Sequence, residues 1–127
     1  MSKVLIIEDD PYVRRFYERL FKSQAYTVDI ASGGEEGITL AKSQHPQLIL
    51  LDILMPNLNG IDVLKTLKAD QSTHDISVIM LTNLDDTKTI REAMALGAGG
   101  FIIKSNASGD SLLALVEQYL EESSTEH

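Results

Sequence analysis

The sequence predicts an α/β domain: a five-stranded parallel sheet with helices on both faces. Three observations carry this. Short apolar runs alternate five times with stretches whose apolar residues recur at helical spacing. The third run, residues 48–51, reads Leu-Ile-Leu-Leu without a polar residue, as a strand buried on both faces does. The runs are separated by Pro, Gly, Asn and Asp clusters that end them. Parallel neighbours require crossovers, and right-handed crossovers put helices on both sides of the sheet.

The elements follow in order. Residues 4–7 form a β-branched strand ending in Glu8-Asp9-Asp10-Pro11, where Asp10 caps a helix and Pro11 opens it. Val13, Phe16, Tyr17, Leu20 and Phe21 form the apolar stripe of that helix. A strand at 27–31 closes on Ser32-Gly33-Gly34, and a helix at 35–43, with Ile38 and Ala41 inward, stops before Pro46. After the strand at 48–51 comes Asp52, then a turn through Pro56 to Gly60 and a helix marked by Ile61, Leu64 and Leu67. A strand at 76–81 precedes a helix at 85–96 that Gly97 terminates. A strand at 100–103 leads to a last helix at 108–120, with Leu112, Leu115, Val116 and Tyr119 on one face and read as core. Residues 1–122 make one domain, and 123–127 a polar tail expected to fray. Met55, Met80 and Met94 read as packing residues.

At 127 residues a single core suffices without disulfides or structural metals. The absence of cysteine excludes disulfides, thiolate zinc sites and cysteine nucleophiles. The first residues enter a strand directly, without the pattern of a signal peptide, and no apolar run nears a membrane span, so a soluble cytoplasmic protein is expected. A formal charge of −8 argues against nucleic-acid binding by this chain. His45, His74 and His127 have no ligand spacing and read as surface residues.

The strand ends carry the chemistry. Parallel strands bring Glu8, Asp9, Asp52, Thr82 and Lys104 to one edge, where open α/β sheets bind ligands. Three carboxylates there repel one another unless a cation lies between them. An all-oxygen donor set favours Mg²⁺. The Lys104 ammonium and Thr82 hydroxyl then suit phosphate oxygens. Cation, Lys and hydroxyl are what a transferring phosphoryl group needs, with Asp52 as nucleophile.

This ordered set resembles the receiver domain of two-component response regulators, over about residues 3 to 120. The resemblance rests on Glu8-Asp9, on Asp52 with Pro56 and Gly60 behind it, on Thr82, on Lys104, and on Phe101 three residues before the lysine. It implies a flavodoxin-like (βα)5 fold in the manner of a stand-alone chemotaxis-type regulator. Asp52 would accept phosphate from a histidine kinase or phosphotransfer protein. Glu8, Asp9, Asp52 and the Leu54 backbone carbonyl would hold Mg²⁺, or Mn²⁺ in its place. Lys104 and Thr82 would bind the phosphoryl group, and Phe101 would follow Thr82 inward. The surface of the fourth helix, fifth strand and last helix would then be remodelled toward partners or a phosphorylation-dependent homodimer. The protein would not be an enzyme acting on external substrates, its chemistry being limited to phosphotransfer onto its own Asp52 and autodephosphorylation.

The chain departs from the family pattern in places. Ser105 follows Lys104 where a cis proline is usual; a cis bond before Ser105 costs about 3 kcal/mol, so the loop is either trans and differently shaped or strained. Asn83 replaces the usual small residue after Thr82 and narrows access to Asp52. Leu54 and Leu84, which flank the site, are apolar and cannot orient an attacking water, so a long-lived aspartyl phosphate is expected. Two rivals stay open: a receiver-like interaction module that works without phosphorylation, and an Asp-nucleophile phosphatase, which would need a second acid beside Asp52. The chain carries no output domain, so it is either a stand-alone regulator or a receiver taken from a longer protein.

Overall fold

A computed structural model describes residues 2–83, 87–104 and 109–125, with side chains of the last helix up to residue 121. Five strands, β1 (Lys3–Ile7), β2 (Thr27–Ala31), β3 (Leu48–Asp52), β4 (Ser77–Thr82) and β5 (Gly100–Ile103), alternate with five helices. These are α1 (Pro11–Lys22), α2 (Gly34–Gln44), α3 (Gly60–Ala69), α4 (Thr87–Ala95) and α5 (Gly109–Thr125). The sheet is wholly parallel in the order β2-β1-β3-β4-β5, the flavodoxin-like arrangement expected.

β3 lies at the centre, and all five of its residues are buried. Alternation along each strand divides the core in two. Leu5, Ile7, Ile49, Leu51, Val78 and Met80 pack with α2, α3 and α4 residues such as Ala41, Leu64, Leu67 and Ala93. Val4, Ile6, Leu48, Leu50, Ile79, Leu81 and Ile102 pack with Tyr17, Phe21, Leu112 and Val116 of α1 and α5. At about 1.5–3 kcal/mol per fully buried aliphatic side chain, these two layers hold the strand ends rigid.

The local signals act as anticipated at several ends. The Asp10 carboxylate accepts the amides of Tyr12 (2.9 Å) and Val13 (3.3 Å), capping α1. Asn59 caps α3 by accepting the Asp62 amide at 3.0 Å. Gly97 follows α4 with φ +106°, a conformation that favours glycine.

Other details differ from expectation. Met94 is 43% exposed and Leu115 36% exposed, so neither is a core residue, whereas Leu112 is buried and Tyr119 half-buried. Phe16, assigned to the buried stripe, is 49% exposed because α1 turns only Tyr17 and Phe21 fully inward. α5 extends to Thr125, past the Leu120 where its apolar pattern stops. The start of the fourth helix, Leu84 and the Lys104–Ser105 bond lie outside the described residues. No described helix is long and apolar enough to cross a membrane.

Candidate functional site

Side-chain parity explains which strand-end residues meet. Glu8 lies two past Ile6, Asp52 two past Leu50 and Lys104 two past Ile102, and each of those apolar residues packs toward α1 and α5. With alternation carried to the strand ends, Glu8, Asp52 and Lys104 emerge on that one face. Thr82 lies two past Met80 and belongs to the other parity, toward α3 and α4. Phe101, paired with Met80 in register, shares that parity.

The backbone beneath Asp52 is fixed from two sides. The Ile53 amide donates to the Leu81 carbonyl at 3.1 Å, and the Gly60 amide donates to the Ile53 carbonyl at 2.8 Å. A Cβ on Gly60 would collide with the Asp52 carbonyl oxygen and sit 2.7 Å from the Ile53 Cα. Glycine is therefore required where α3 starts against the end of β3. The Leu54 amide reaches back to Asp52 Oδ1 at 3.4 Å.

Carboxylate oxygens of Glu8, Asp9 and Asp52 lie within 4.8 Å of one another. Glu8 and Asp52 are almost fully buried, at 1% and 5% exposure. Lys104 Nζ stands between them, 2.8 Å from Glu8 Oε2 and 3.2 Å from Asp52 Oδ1. Three carboxylates against one ammonium leave the cluster formally negative. Burial, then the neighbouring Glu8 carboxylate, push the Asp52 carboxyl up to about 7, against the opposing pull of Lys104. Burial lowers the Lys104 ammonium, but its hydrogen bond to Glu8 and the charges of Asp52 and Glu8 outweigh this and raise it. One cation thus already serves two carboxylates, and the oxygen-only donor set fits a small hard divalent ion.

An open cleft of about 540 Å³ leads to the cluster, with Tyr12, Phe16, Leu54 and Asn83 among its walls. Leu54 is 55% exposed and Tyr12 84% exposed, so part of the rim is apolar, beside the exposed polar Asp10. Asn83 is at the cleft, as anticipated, and exposed. Thr82 is 3% exposed, while Phe101 on the edge strand is 39% exposed.

Two residues of α1 belong to the site beyond those the sequence pointed to, Tyr17 having been read only as part of the apolar stripe. Arg14 donates through one guanidinium nitrogen to the carbonyls of Glu8 (3.0 Å) and Asp9 (3.3 Å). Tyr17 is buried beneath the cleft; burial raises its phenol, while Lys104 acts in the other direction and Glu8 and Asp52 add to the rise. The signal for Arg14 was a basic residue three before the buried Tyr17, hence near the inward stripe of α1, just past an acidic strand end.

Comparison with known proteins agrees with this geometry. The family model "Response regulator receiver domain" matches residues 4–117. A probable transcriptional regulator, ycf27, of Porphyridium aerugineum is 36% identical over 103 residues, covering 81% of this chain and 42% of the relative. The response regulator ArlR of Staphylococcus saprophyticus is 35% identical over 104 residues, covering 82% and 46%. The chain belongs to the response regulator receiver family. It spans less than half the length of these two relatives. Among solved structures, the Francisella response regulator 1452 receiver domain superposes with a TM-score of 0.86 at 28% identity, covering 96% of this chain and 98% of that one. A CheY-like receiver protein from Methanospirillum hungatei reaches a TM-score of 0.92 at 23% identity, covering 100% and 99%, a likeness of fold. Receiver domains are signalling modules of two-component systems rather than conventional enzymes, and the family binds Mg²⁺ in an acidic pocket. The acidic cluster among the described residues here is Glu8, Asp9 and Asp52.

Proposed function

We propose that this receiver is a Mg²⁺-dependent switch phosphorylated on Asp52 by a histidine kinase or phosphotransfer protein. The observation that carries the reading is the convergence of three carboxylates, two of them paired with the Lys104 ammonium, at an open cleft. Glu8, Asp9 and Asp52 hold the metal, with the Leu54 carbonyl as a further ligand. Bound Mg²⁺ supplies the positive charge that keeps these acids ionised and offsets charge on the phosphoryl oxygens.

An Asp52 oxygen attacks the phosphorus of a phosphohistidine, forming the new P–O bond as the donor's P–N bond breaks. The electron pair leaves with the imidazole nitrogen. Lys104 transfers its hydrogen bonding from Glu8 and Asp52 to the phosphoryl oxygens. Thr82 turns to donate to the same group, and Phe101 leaves its exposed position for the space vacated. This is a population shift: the phosphoryl group makes contacts in one state that it cannot make in the other. An interaction of about 2 kcal/mol changes the ratio of states roughly thirtyfold.

The surface of α4, β5 and α5 then changes its affinity for a partner, an output domain or a second copy. Exposed Met94, Phe101 and Leu115 on those elements support this reading. Return to the resting state requires water to attack phosphorus and release inorganic phosphate. Leu54 beside the cleft offers no group to orient that water, and Leu84 is assigned the same effect from sequence. A long-lived phosphoryl group follows.

The test is incubation with Mg²⁺ and acetyl phosphate or beryllofluoride, read by intact mass and amide spectra alongside Asp52→Asn. A single phosphoryl addition, or a beryllofluoride response spanning Thr82 to Lys104, absent in the variant, is expected. Mg²⁺ binding without either response would favour a constitutive interaction module.

A further inference from the structure

We infer that Arg14 is the positioning residue of the acidic pocket, setting the backbone from which Glu8 and Asp9 present their carboxylates. The inference rests on the reading of that pocket as a Mg²⁺ site.

The sheet ladder on either side of β1 ends at Ile7, which pairs with Ala31 and Leu51. One more strand-like bond follows, from the Glu8 amide to the Ala31 carbonyl at 3.1 Å. The chain then leaves the sheet to enter α1. The carbonyls of Glu8 and Asp9 thus fall beyond the paired registers, at the point where two successive side chains must aim into one pocket. Arg14, one turn into α1, sends a single nitrogen to both, at 3.0 and 3.3 Å.

That bond pair ties the acidic turn to a helix whose own entry is fixed by the Asp10 cap. Two adjacent carbonyls drawn to one donor restrict the peptide between them, and with it the directions of the flanking side chains. A group one layer behind a metal ligand tunes affinity by orientation, and its loss typically costs about 10- to 100-fold.

Orientation and charge predict opposite signs here. A guanidinium near the pocket repels a divalent cation, so if charge alone mattered its removal would tighten Mg²⁺ binding. If Arg14 positions the turn, its removal weakens binding. Mg²⁺ titrations of the full chain, followed by calorimetry and amide spectra, separate these cases. Arg14→Met is expected to bind Mg²⁺ about 10-fold more weakly, with metal-free amide shifts centred on residues 8–10. Arg14→Lys keeps a donor and the charge and is expected to recover most of the affinity.

Equal or tighter binding by Arg14→Met overturns the inference. If that variant loses amide dispersion and is unfolded, Arg14→Gln takes its place: a neutral donor too short to span both carbonyls, with weakened binding again expected and unchanged binding again refuting. A wild-type chain that takes up no Mg²⁺ refutes the site reading itself, a result distinct from an Arg14 variant that matches a binding wild type.

Discussion

Replacing Asp52 by Asn is expected to stabilise the metal-free protein at alkaline pH. The folded chain holds the Asp52 carboxyl near 7, against 3.8 for the ordinary group, because burial and the Glu8 carboxylate disfavour its ionised form. Between those values the native state binds more protons at this group than the unfolded state, so stability is fully present below 3.8 and falls as pH rises to about 7. About three units at about 1.4 kcal/mol each is a cost of about 4 kcal/mol by about pH 8. Asn removes that cost but also forfeits the 3.2 Å ion pair with Lys104, itself nearly buried. The value near 7 already contains the pull of that pair, so the expected gain is up to about 4 kcal/mol, or several degrees in Tm. Near pH 5 the gain should shrink to less than half, and it should vanish below about 3.8, where the group is protonated in both states. Urea unfolding in EDTA, followed by circular dichroism at both pH values, measures the difference. Excess Mg²⁺ should narrow the difference, because wild type gains more binding free energy, about 2.7 kcal/mol at a hundred times Kd, than a variant left with Glu8 and Asp9. An Asn variant with the same relative stability at both pH values, or one less stable at the higher, would refute the electrostatic reasoning.

Gly60→Ala should lower stability by about 1–3 kcal/mol and weaken Mg²⁺ binding together, since the new Cβ meets the Asp52 backbone rather than a movable side chain; denaturation and metal titration check both. Asp10→Ala should cost about 1 kcal/mol through the lost α1 cap while leaving Mg²⁺ affinity near wild type, as its carboxylate serves the Tyr12 and Val13 amides. Lys68→Met should cost about 1–3 kcal/mol in urea, because the Lys68 ammonium serves the carbonyls of His74 (3.0 Å) and Ile76 (2.9 Å), the latter buried. The aspartyl phosphate should persist well beyond seconds after removal of excess donor, and Leu54→Asn should shorten its life; decay within seconds in wild type, followed by intact mass, would sink the argument from the apolar Leu54 and Leu84.

Most of the fold was legible because the strands are built on short apolar runs, broken within only at Asp29 of β2, and the helices carry start or stop signals. The Asp10 cap, Pro11 and Gly97 mark ends that local chemistry decides, and the structure has them there. Leu115 and Met94 were misjudged for a different reason. Apolar residues on α4 and α5 look the same whether the helix faces the sheet or solvent at that turn, and only tertiary placement distinguishes them. The acids at the site were legible since carboxylates at the ends of buried strands have no packing role. Arg14 was not, because its partners are backbone carbonyls, which leave no trace in residue identity.

The two parities of the sheet separate the site into a part that holds charge and a part that, in the proposed switch, reports it. Glu8, Asp52 and Lys104 share the face toward α1 and α5, so their mutual attraction is settled within a few ångströms, with Arg14 and Tyr17 behind them. Thr82 and Phe101 take the opposite parity, toward α3 and α4, one buried and one exposed. A charge added at Asp52 can therefore be felt by Thr82 at the shared strand edge without dismantling the α1 face. In the proposed switch the residue that responds along the same parity is Phe101, on an edge strand where movement disturbs one neighbouring strand only. In the proposed switch Lys104 exchanges one anionic partner for another and stays paired, whereas moving Glu8 would leave a buried charge unpaired, at a cost of about 3–5 kcal/mol. Moving a hydroxyl and a partly exposed ring costs far less, which is why the reporting side chains belong on the far face of the sheet.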